Sequence, residues 1–180
     1  MIRYAALLRG IAPSGHNMTN HKSRGVFERL GFEQVQSVLS SGNIVFSADH
    51  EQVPVLEERI ELALAEDLGI ASRTIIRTYS ELRALTDGDP FAGQTHGTGN
   101  YLTVTFIKDA AFGRARPETP APLTEIVRYD EAARAILAVT DNRTPGATPN
   151  FMAWVEKAYG GAITTRSWPS VMRILRKLES

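Results

Sequence analysis

Apolar side chains in the first half of the chain alternate between runs typical of strands and stripes typical of helices. The almost continuous apolar run over residues 2–8 predicts a strand buried on both faces. Farther along, Val26, Phe27 and Leu30 fall on one face of a helix that Gly31 ends. The chain therefore opens with a strand, a loop and a helix.

The pattern continues with two strands, a second helix and a fourth strand. Strand-like runs over 34–39 and 44–47 flank Ser-Ser-Gly-Asn, in which Gly42 and Asn43 tolerate the positive φ of a tight hairpin. The next helix carries an apolar residue at every fourth position, at Leu56, Ile60 and Leu64. A further strand is predicted over 73–77. This β-α-β-β-α-β order predicts a ferredoxin-like split βαβ module.

The second half predicts a related but less regular set of elements. Thr78 and Glu81 form a capping box for a short helix, and 101–108 is an alternating strand. The proline-containing segment 109–123 is expected to be a loop with at most one helical turn. The remaining predicted elements are strands over 126–129, 134–139 and 162–166, a helix capped by Thr148 and a helix over 169–178.

We therefore predict an α+β fold of two modules, a ferredoxin-like module over 1–88 and a smaller α+β module over 89–180. The second module could be a degraded copy of the first, packed on it, although the residues themselves show no repeat.

Composition narrows the classes of protein and of partner. The chain has 180 residues, no cysteine, and 20 basic residues balanced by 20 acidic ones. Disulfides and thiolate metal sites are therefore excluded, and the overall charge does not favour DNA or anionic lipid. No run approaches the roughly 18 apolar residues of a membrane span, so a soluble, cytoplasmic protein is expected.

Two polar motifs predict where a ligand could bind. If the sheet has the strand order 4-1-3-2, the end of strand 1 at Arg9 and Gly10 lies beside the hairpin residues Ser41, Gly42 and Asn43. The first helix points its unpaired N–H groups toward the same edge, so an anion could bind there. Turn chemistry alone would also explain the glycine and the asparagine.

The motifs together resemble a known family. They are, in order, Leu7 to Ile11, Ser14 to Asn17, Ser41 to Phe46 and Thr164 to Trp168. In this order and spacing they resemble the bacterial family called domain of unknown function 1697, for which no activity is implied. The chain departs from that family's usual motifs at Ala12, His16 and Ser167, where the family has asparagine, lysine and asparagine. If the family's loops bind a ligand, this chain lacks some of their polar groups.

Three further residues are candidates for the ligand site. Asn17 lies in the loop before the first helix, and Thr165 and Arg166 lead into a last helix whose first turn has no acidic residue. An ordinary strand with a serine cap at Ser167 would explain the last motif equally well. The sequence leaves open whether Arg166 and Arg9 share one site.

The sequence contains no familiar catalytic or cofactor motif. There is no G-x-S-x-G, no H-E-x-x-H and no phosphate-binding glycine loop, so no metal site and no cofactor is predicted and enzymatic activity stays open. Glu57, Glu58 and Glu61 are expected on the solvated side of their helix. The leading hypothesis is a site for a small anionic ligand that bears phosphate or carboxylate. The alternatives are nucleic-acid binding, which the neutral charge disfavours, or a protein-interaction module without catalysis.

Overall fold

The structure is a computed structural model that describes residues 1–40 and 42–180, and this part of the chain forms eight strands and six helices. The strands are β1 (Ile2–Arg9), β2 (Glu33–Ser37), β3 (Asn43–Ala48), β4 (Arg73–Thr78), β5 (Tyr101–Ile107), β6 (Thr124–Asp130), β7 (Ala135–Thr140) and β8 (Ile163–Ser167). The helices are α1 (Asn20–Arg29), α2 (Val53–Leu68), α3 (Tyr79–Asp87), α4 (Asp109–Phe112), α5 (Ala147–Tyr159) and α6 (Trp168–Glu179).

The strands form two four-stranded antiparallel sheets, with the orders β2-β3-β1-β4 and β6-β7-β5-β8. The chain divides into two units. Unit 1 comprises Met1–Leu82 together with Arg173–Ser180, and unit 2 comprises Arg83–Met172. In each sheet the first strand along the chain lies between the third and the fourth. The predicted mixed α+β class is confirmed.

Aromatic rings fill the core of unit 1. The Phe46 ring lies 5.5 Å from Tyr4, 5.3 Å from Phe27 and 4.7 Å from Phe32, measured between ring centroids. All four side chains are buried together with the apolar residues of α2. Burial of each such side chain contributes roughly 1.5–3 kcal/mol, so this cluster is a large part of the driving force for folding.

The other face of the first sheet is buried as well. Ala5, Leu7, Val45 and Ile75 are each 1% exposed or less. This confirms the prediction that the first strand is buried on both faces.

Unit 2 has the same strand order but a different connection between its first two strands. In unit 1 the ten-residue α1 connects β1 to β2, whereas in unit 2 the four-residue α4 lies between β5 and β6. This confirms the predicted single helical turn in 109–123. The loop that follows α4 is hydrogen-bonded to α5, because the Trp154 indole Nε1 donates to the Thr119 carbonyl at 3.1 Å.

The prediction that Glu57 and Glu61 face solvent is wrong. Glu57 is 4% exposed and its Oε1 accepts from the Ile76 backbone N–H at 2.9 Å. The Glu61 Oε1 accepts from the Thr74 N–H at 2.7 Å. Both donors lie on β4, an edge strand of the sheet, and among the described residues no second strand pairs with β4 on that side.

Glu81 also accepts a hydrogen bond from a backbone N–H of β4, at the end of the strand, through the predicted capping box. Its Oε2 accepts from the Thr78 N–H at 2.7 Å, and the Thr78 Oγ1 accepts from the Glu81 N–H at 3.2 Å. The capping box is therefore confirmed. Three carboxylates in all accept from alternate N–H groups of this edge strand.

Two details of the turns differ from the prediction. Gly42 has the predicted positive φ (72°), but Asn43 is the first residue of β3, and Leu39 (64°) is the other described residue of this loop with a positive φ. Helix α5 begins at Ala147 after a left-handed Gly146 and has no side-chain cap, so Thr148 is not its cap. The first turn ends at Gly42, one residue before Asn43, and the second at Gly146, two residues before Thr148.

Candidate functional site

Arg9 lies at the end of β1, directly opposite Arg73 of β4 in the strand register. Strand alternation places it on the same face as Ala5 and Leu7, opposite the side of Tyr4 and Leu8. The backbone there is fixed because the Ser72 Oγ donates to the Arg9 carbonyl at 2.8 Å. Two arginines therefore meet side by side at this end of unit 1.

The hairpin between β2 and β3 lies beside the end of β1, as predicted. The Leu8 N–H donates to the Gly42 carbonyl at 2.8 Å, and Leu7 pairs with Asn43. Gly10 and Gly42 have φ angles of 79° and 72°, in the left-handed region where a side chain is strained. The structure thus brings Arg9, Gly10, Gly42 and Asn43 together. Ser41, which was predicted to join them, lies outside the described residues.

Asn43 fixes the hairpin. Its side chain is 4% exposed, and its Nδ2 donates to the Val38 carbonyl at 3.2 Å, while the Val38 N–H donates to the Asn43 carbonyl at 2.9 Å. This pair of bonds closes the loop over residues 38–43. Asn43 therefore positions the backbone of the candidate site through its amide.

The N-terminus of α1 reaches the same loop. The Thr19 side chain caps the helix by accepting from the Lys22 N–H at 3.3 Å, and the Asn20 Nδ2 donates to the Leu39 carbonyl at 2.8 Å. The first turn carries Lys22 and no acidic residue. The positive end of the helix is thus uncompensated within its own first turn.

Asn17 lies in a neighbouring cleft of unit 1 rather than beside the hairpin. With a φ of 61°, it donates from Nδ2 to the Leu68 carbonyl at 3.2 Å and accepts at Oδ1 from the Lys22 Nζ at 2.6 Å. The cleft has a volume of about 430 Å³ and includes the ion pair of Arg29 and Asp67 at 2.7 Å. Asn17 therefore joins the loop to the end of α2 and holds Lys22.

Three segments of unit 1 together carry only positive charges in a protein whose net charge is zero. Residues 9–25 contain no aspartate or glutamate, and neither do residues 34–48 or 69–73. The same segments carry four cationic side chains: Arg9, Lys22, Arg24 and Arg73. Sequence reasoning missed Lys22, Arg24 and Arg73, although the absence of acidic residues in these segments could have pointed to them.

Thr165 and Arg166 belong to unit 2. The Arg166 Nη1 donates to the Thr164 Oγ1 at 2.6 Å and to the Thr165 carbonyl at 2.9 Å, and burial lowers the pKa of its guanidinium to about 10. Arg166 is therefore charged at neutral pH. The Thr165 hydroxyl shares a hydrogen bond with the Thr105 hydroxyl at 2.8 Å.

The residue that follows Arg166 caps the last helix. The Ser167 Oγ shares a hydrogen bond with the Ser170 Oγ at 2.8 Å and accepts from the Ser170 N–H at 3.4 Å. This confirms the alternative in which Ser167 caps the last helix.

Two further observations limit the chemistry that the described part of the chain can hold. Over residues 1–40 and 42–180, histidines and carboxylates form no group of three that could hold a metal ion. Within the same residues, no helix is long and apolar enough to span a membrane.

Comparison with known proteins agrees with the motifs. No curated protein matches the chain. A solved structure, the conserved bacterial protein SP0830 from Streptococcus pneumoniae, superposes with a TM-score of 0.78 at 18% identity. The match covers 100% of this chain and 99% of that one. Identity at this level shows a shared fold and nothing about function.

A family model matches residues 1–135, which include the first three of the four motifs and leave Thr164 to Trp168 beyond the match. The predicted family resemblance is confirmed over these residues. The chain belongs to the family described as protein of unknown function DUF1697.

Proposed function

We propose that unit 1 binds a small anionic ligand, bearing phosphate or carboxylate, where the end of β1 meets the β2–β3 hairpin. The observation that carries this proposal is the pairing of Arg9 with Arg73 at an edge whose loops hold no acidic residue. Two guanidinium groups in direct register can both donate charge-assisted hydrogen bonds to one oxyanion.

Backbone groups support the same proposal. The left-handed Gly10 and Gly42 leave the main chain without a shielding side chain, and the first turn of α1 presents its N–H groups to the same end.

We also interpret each unit as ferredoxin-like, with unit 2 a degraded copy of unit 1. The matching strand orders support this interpretation, and α4 stands in unit 2 where the longer α1 stands in unit 1. RNA-recognition modules of this topology stack bases on exposed strand aromatics. Tyr4 and Phe46 are at most 1% exposed and stack on each other, so this observation favours a small ligand over nucleic acid.

The proposal is tested by titrating the protein with inorganic phosphate, a sugar phosphate, ATP, citrate and a short RNA, with calorimetry as the readout. Arg9→Ala should weaken binding of the responding anion by about 1–3 kcal/mol, because a charge-assisted hydrogen bond is lost. Raised salt should weaken binding as well, because the arginines are partly open to solvent.

Arg173→Ala is the matched control, since Arg173 is exposed on the part of α6 that belongs to unit 1. It removes the same charge from a residue outside the proposed site and should leave the affinity unchanged. Equal loss in the two variants, or no response to any of the anions, would contradict the proposed site. A response to RNA alone would favour nucleic acid instead.

A further inference from the structure

Unit 2 contains a cavity beside its four-residue helix α4. The cavity has a volume of about 260 Å³ and is bounded by the loop after α4, the edge strand β6 and the end of α5. Its polar lining comes from Arg114, Arg116, Tyr129, Glu131 and Tyr159. A volume of this size accommodates one ring or one small oxyanion with its substituent.

The two tyrosines face this cavity from different elements. Tyr129 pairs with Ile136 in the register and therefore lies on the α5 side of the sheet, and Tyr159 is the last residue of α5. Tyr159 is 1% exposed and is one of the residues that line the cavity.

A cation lies over the same cavity. The Arg116 guanidinium carbon is 4.0 Å from the centre of the Tyr129 ring, and its Nη2 is 3.2 Å from the Glu131 Oε1. Arg116 and Glu131 are both exposed, so this ion pair is weak and open to exchange. An oxyanion that enters the cavity could replace the Glu131 carboxylate on Arg116.

We propose that this cavity is a second binding site for a small aromatic oxyanion, held by the Arg116 guanidinium and the phenolic hydroxyls of Tyr129 and Tyr159. The ring of the ligand would lie among aromatic walls, and its phosphate or carboxylate would accept hydrogen bonds from the three groups. This site lies wholly in unit 2 and does not depend on the site proposed at Arg9.

The protonation states suit this role. Burial raises the pKa of Tyr129 and of Tyr159, and the nearby Arg116 lowers each in part. Both phenols are therefore protonated at neutral pH and can act as donors. An oxyanion accepts hydrogen bonds and gives none, so the donor set matches it.

The first test titrates the protein with phenyl phosphate and, separately, with benzoate, by calorimetry and by NMR of protein with labelled tyrosine rings. The chain has five tyrosines, and two resonances should move on titration. One of these two resonances should be absent from the spectrum of Tyr129→Phe and the other from that of Tyr159→Phe, which assigns each resonance to its residue. The probe that binds more tightly shows whether phosphate or carboxylate is preferred, and no saturable binding of either probe overturns the proposal.

Variants then test the named groups. Tyr159→Phe and Arg116→Gln should each weaken binding of the better probe about tenfold or more, because each removes a donor to a charged group. Arg143→Gln is the control, since Arg143 is exposed in unit 2, pairs with Asp141 and lies outside the cavity lining. It should bind as the wild type does. Equal affinity in all the variants overturns the proposal.

Glu131→Gln gives a test of opposite sign. Removing the carboxylate frees Arg116, so the affinity should rise, by up to about fivefold for an exposed ion pair. If Tyr159→Phe does not fold, this variant and Arg116→Gln still decide the matter, because both residues are exposed. A fall in affinity in Glu131→Gln would contradict the proposal.

Discussion

Arg3 shows how one side chain joins three parts of unit 1. Its Nε donates to the Leu178 carbonyl at 3.3 Å and its Nη2 to the Lys177 carbonyl at 3.2 Å, in the last turn of α6. Its Nη1 reaches the side chains of Gln34 and Ser47 at 3.4 Å. A cation at the C-terminus of a helix also interacts favourably with the helix dipole. Burial lowers the pKa of this guanidinium.

Arg3→Ala should therefore destabilise the protein by about 1–2 kcal/mol, because it removes bonds to two helix carbonyls and to β3. The measurement is the free energy of unfolding in urea. Arg3→Lys should recover part of the loss, since it keeps the charge with fewer donors. Arg173→Ala is again the control, and a loss there as large as that in Arg3→Ala would contradict this role of Arg3.

The buried tyrosines predict a loss of stability at alkaline pH. Burial raises the pKa of Tyr4, Tyr129 and Tyr159 in the folded protein above the ordinary value of 10.0. As the pH rises above that value, the unfolded chain releases phenolic protons that the folded chain retains. The stability that these groups contribute is complete below the unfolded pKa and is lost as the pH rises through their folded pKa values.

Urea midpoints compared between about pH 8 and about pH 11 should fall in the upper part of that range. Tyr159→Phe removes one of the three groups, so the fall should be smaller than in the wild type. A midpoint that rises with pH in this range would contradict the raised pKa values.

At the level of elements, helix α2 both packs on the sheet and closes its edge. Leu56, Ile60 and Leu64 are fully buried on one side of the helix, while Glu57 and Glu61 accept from the backbone of β4. The carboxylates take the place of the strand that β4 lacks on that side. The helix is therefore positioned along the sheet by hydrogen bonds as well as by apolar contact.

Glu57→Ala should cost about 1–3 kcal/mol of folding free energy, because the Ile76 N–H is left buried without this acceptor. Glu58→Ala is the matched control, since Glu58 is the next residue of the same helix and is exposed. It should change the stability by less than about 0.5 kcal/mol. Similar losses in the two variants would show that charge or helix propensity, and not the bond to β4, is responsible.

The elements themselves could be predicted from the sequence to a large extent, because apolar spacing depends on local geometry. The stripe of α2 and the buried β1 follow from that spacing. The role of Glu57 does not, since a polar residue beside an apolar stripe is ordinarily solvated, and only the position of β4 supplies its donor. The apolar pattern of a helix does not predict which strand will lie beside it.

The candidate site was predictable to the same degree. Strand order alone placed Arg9 beside Gly42, and the structure agrees. Arg73 was missed because only the register of β4 brings it opposite Arg9. Asn17 lies in the adjacent cleft because its left-handed backbone turns its amide toward Leu68. Asparagine can adopt this backbone conformation, but its presence in a sequence does not predict it.

For the whole molecule, the net charge of zero at pH 7 means that copies of the chain do not repel each other at neutral pH. Association and precipitation should be greatest near pH 7 and should fall about one or two pH units to either side, where the chain gains charge. Light scattering across this range at low salt is the measurement. A minimum of scattering at pH 7 would contradict the argument.

Because copies of the chain do not repel each other at neutral pH, association through the edge strands of the sheet has to be prevented in another way, and the edge of β4 does so. Its alternate N–H groups bond to Glu57, Glu61 and Glu81, so this rim offers few donors with which a strand of another copy could pair. The opposite rim, β2, is five residues long and interrupted by a bulge between Glu33 and Gln36. The first sheet therefore resists lateral growth at both rims, and loss of the α2 glutamates would open a template for fibrillar assembly.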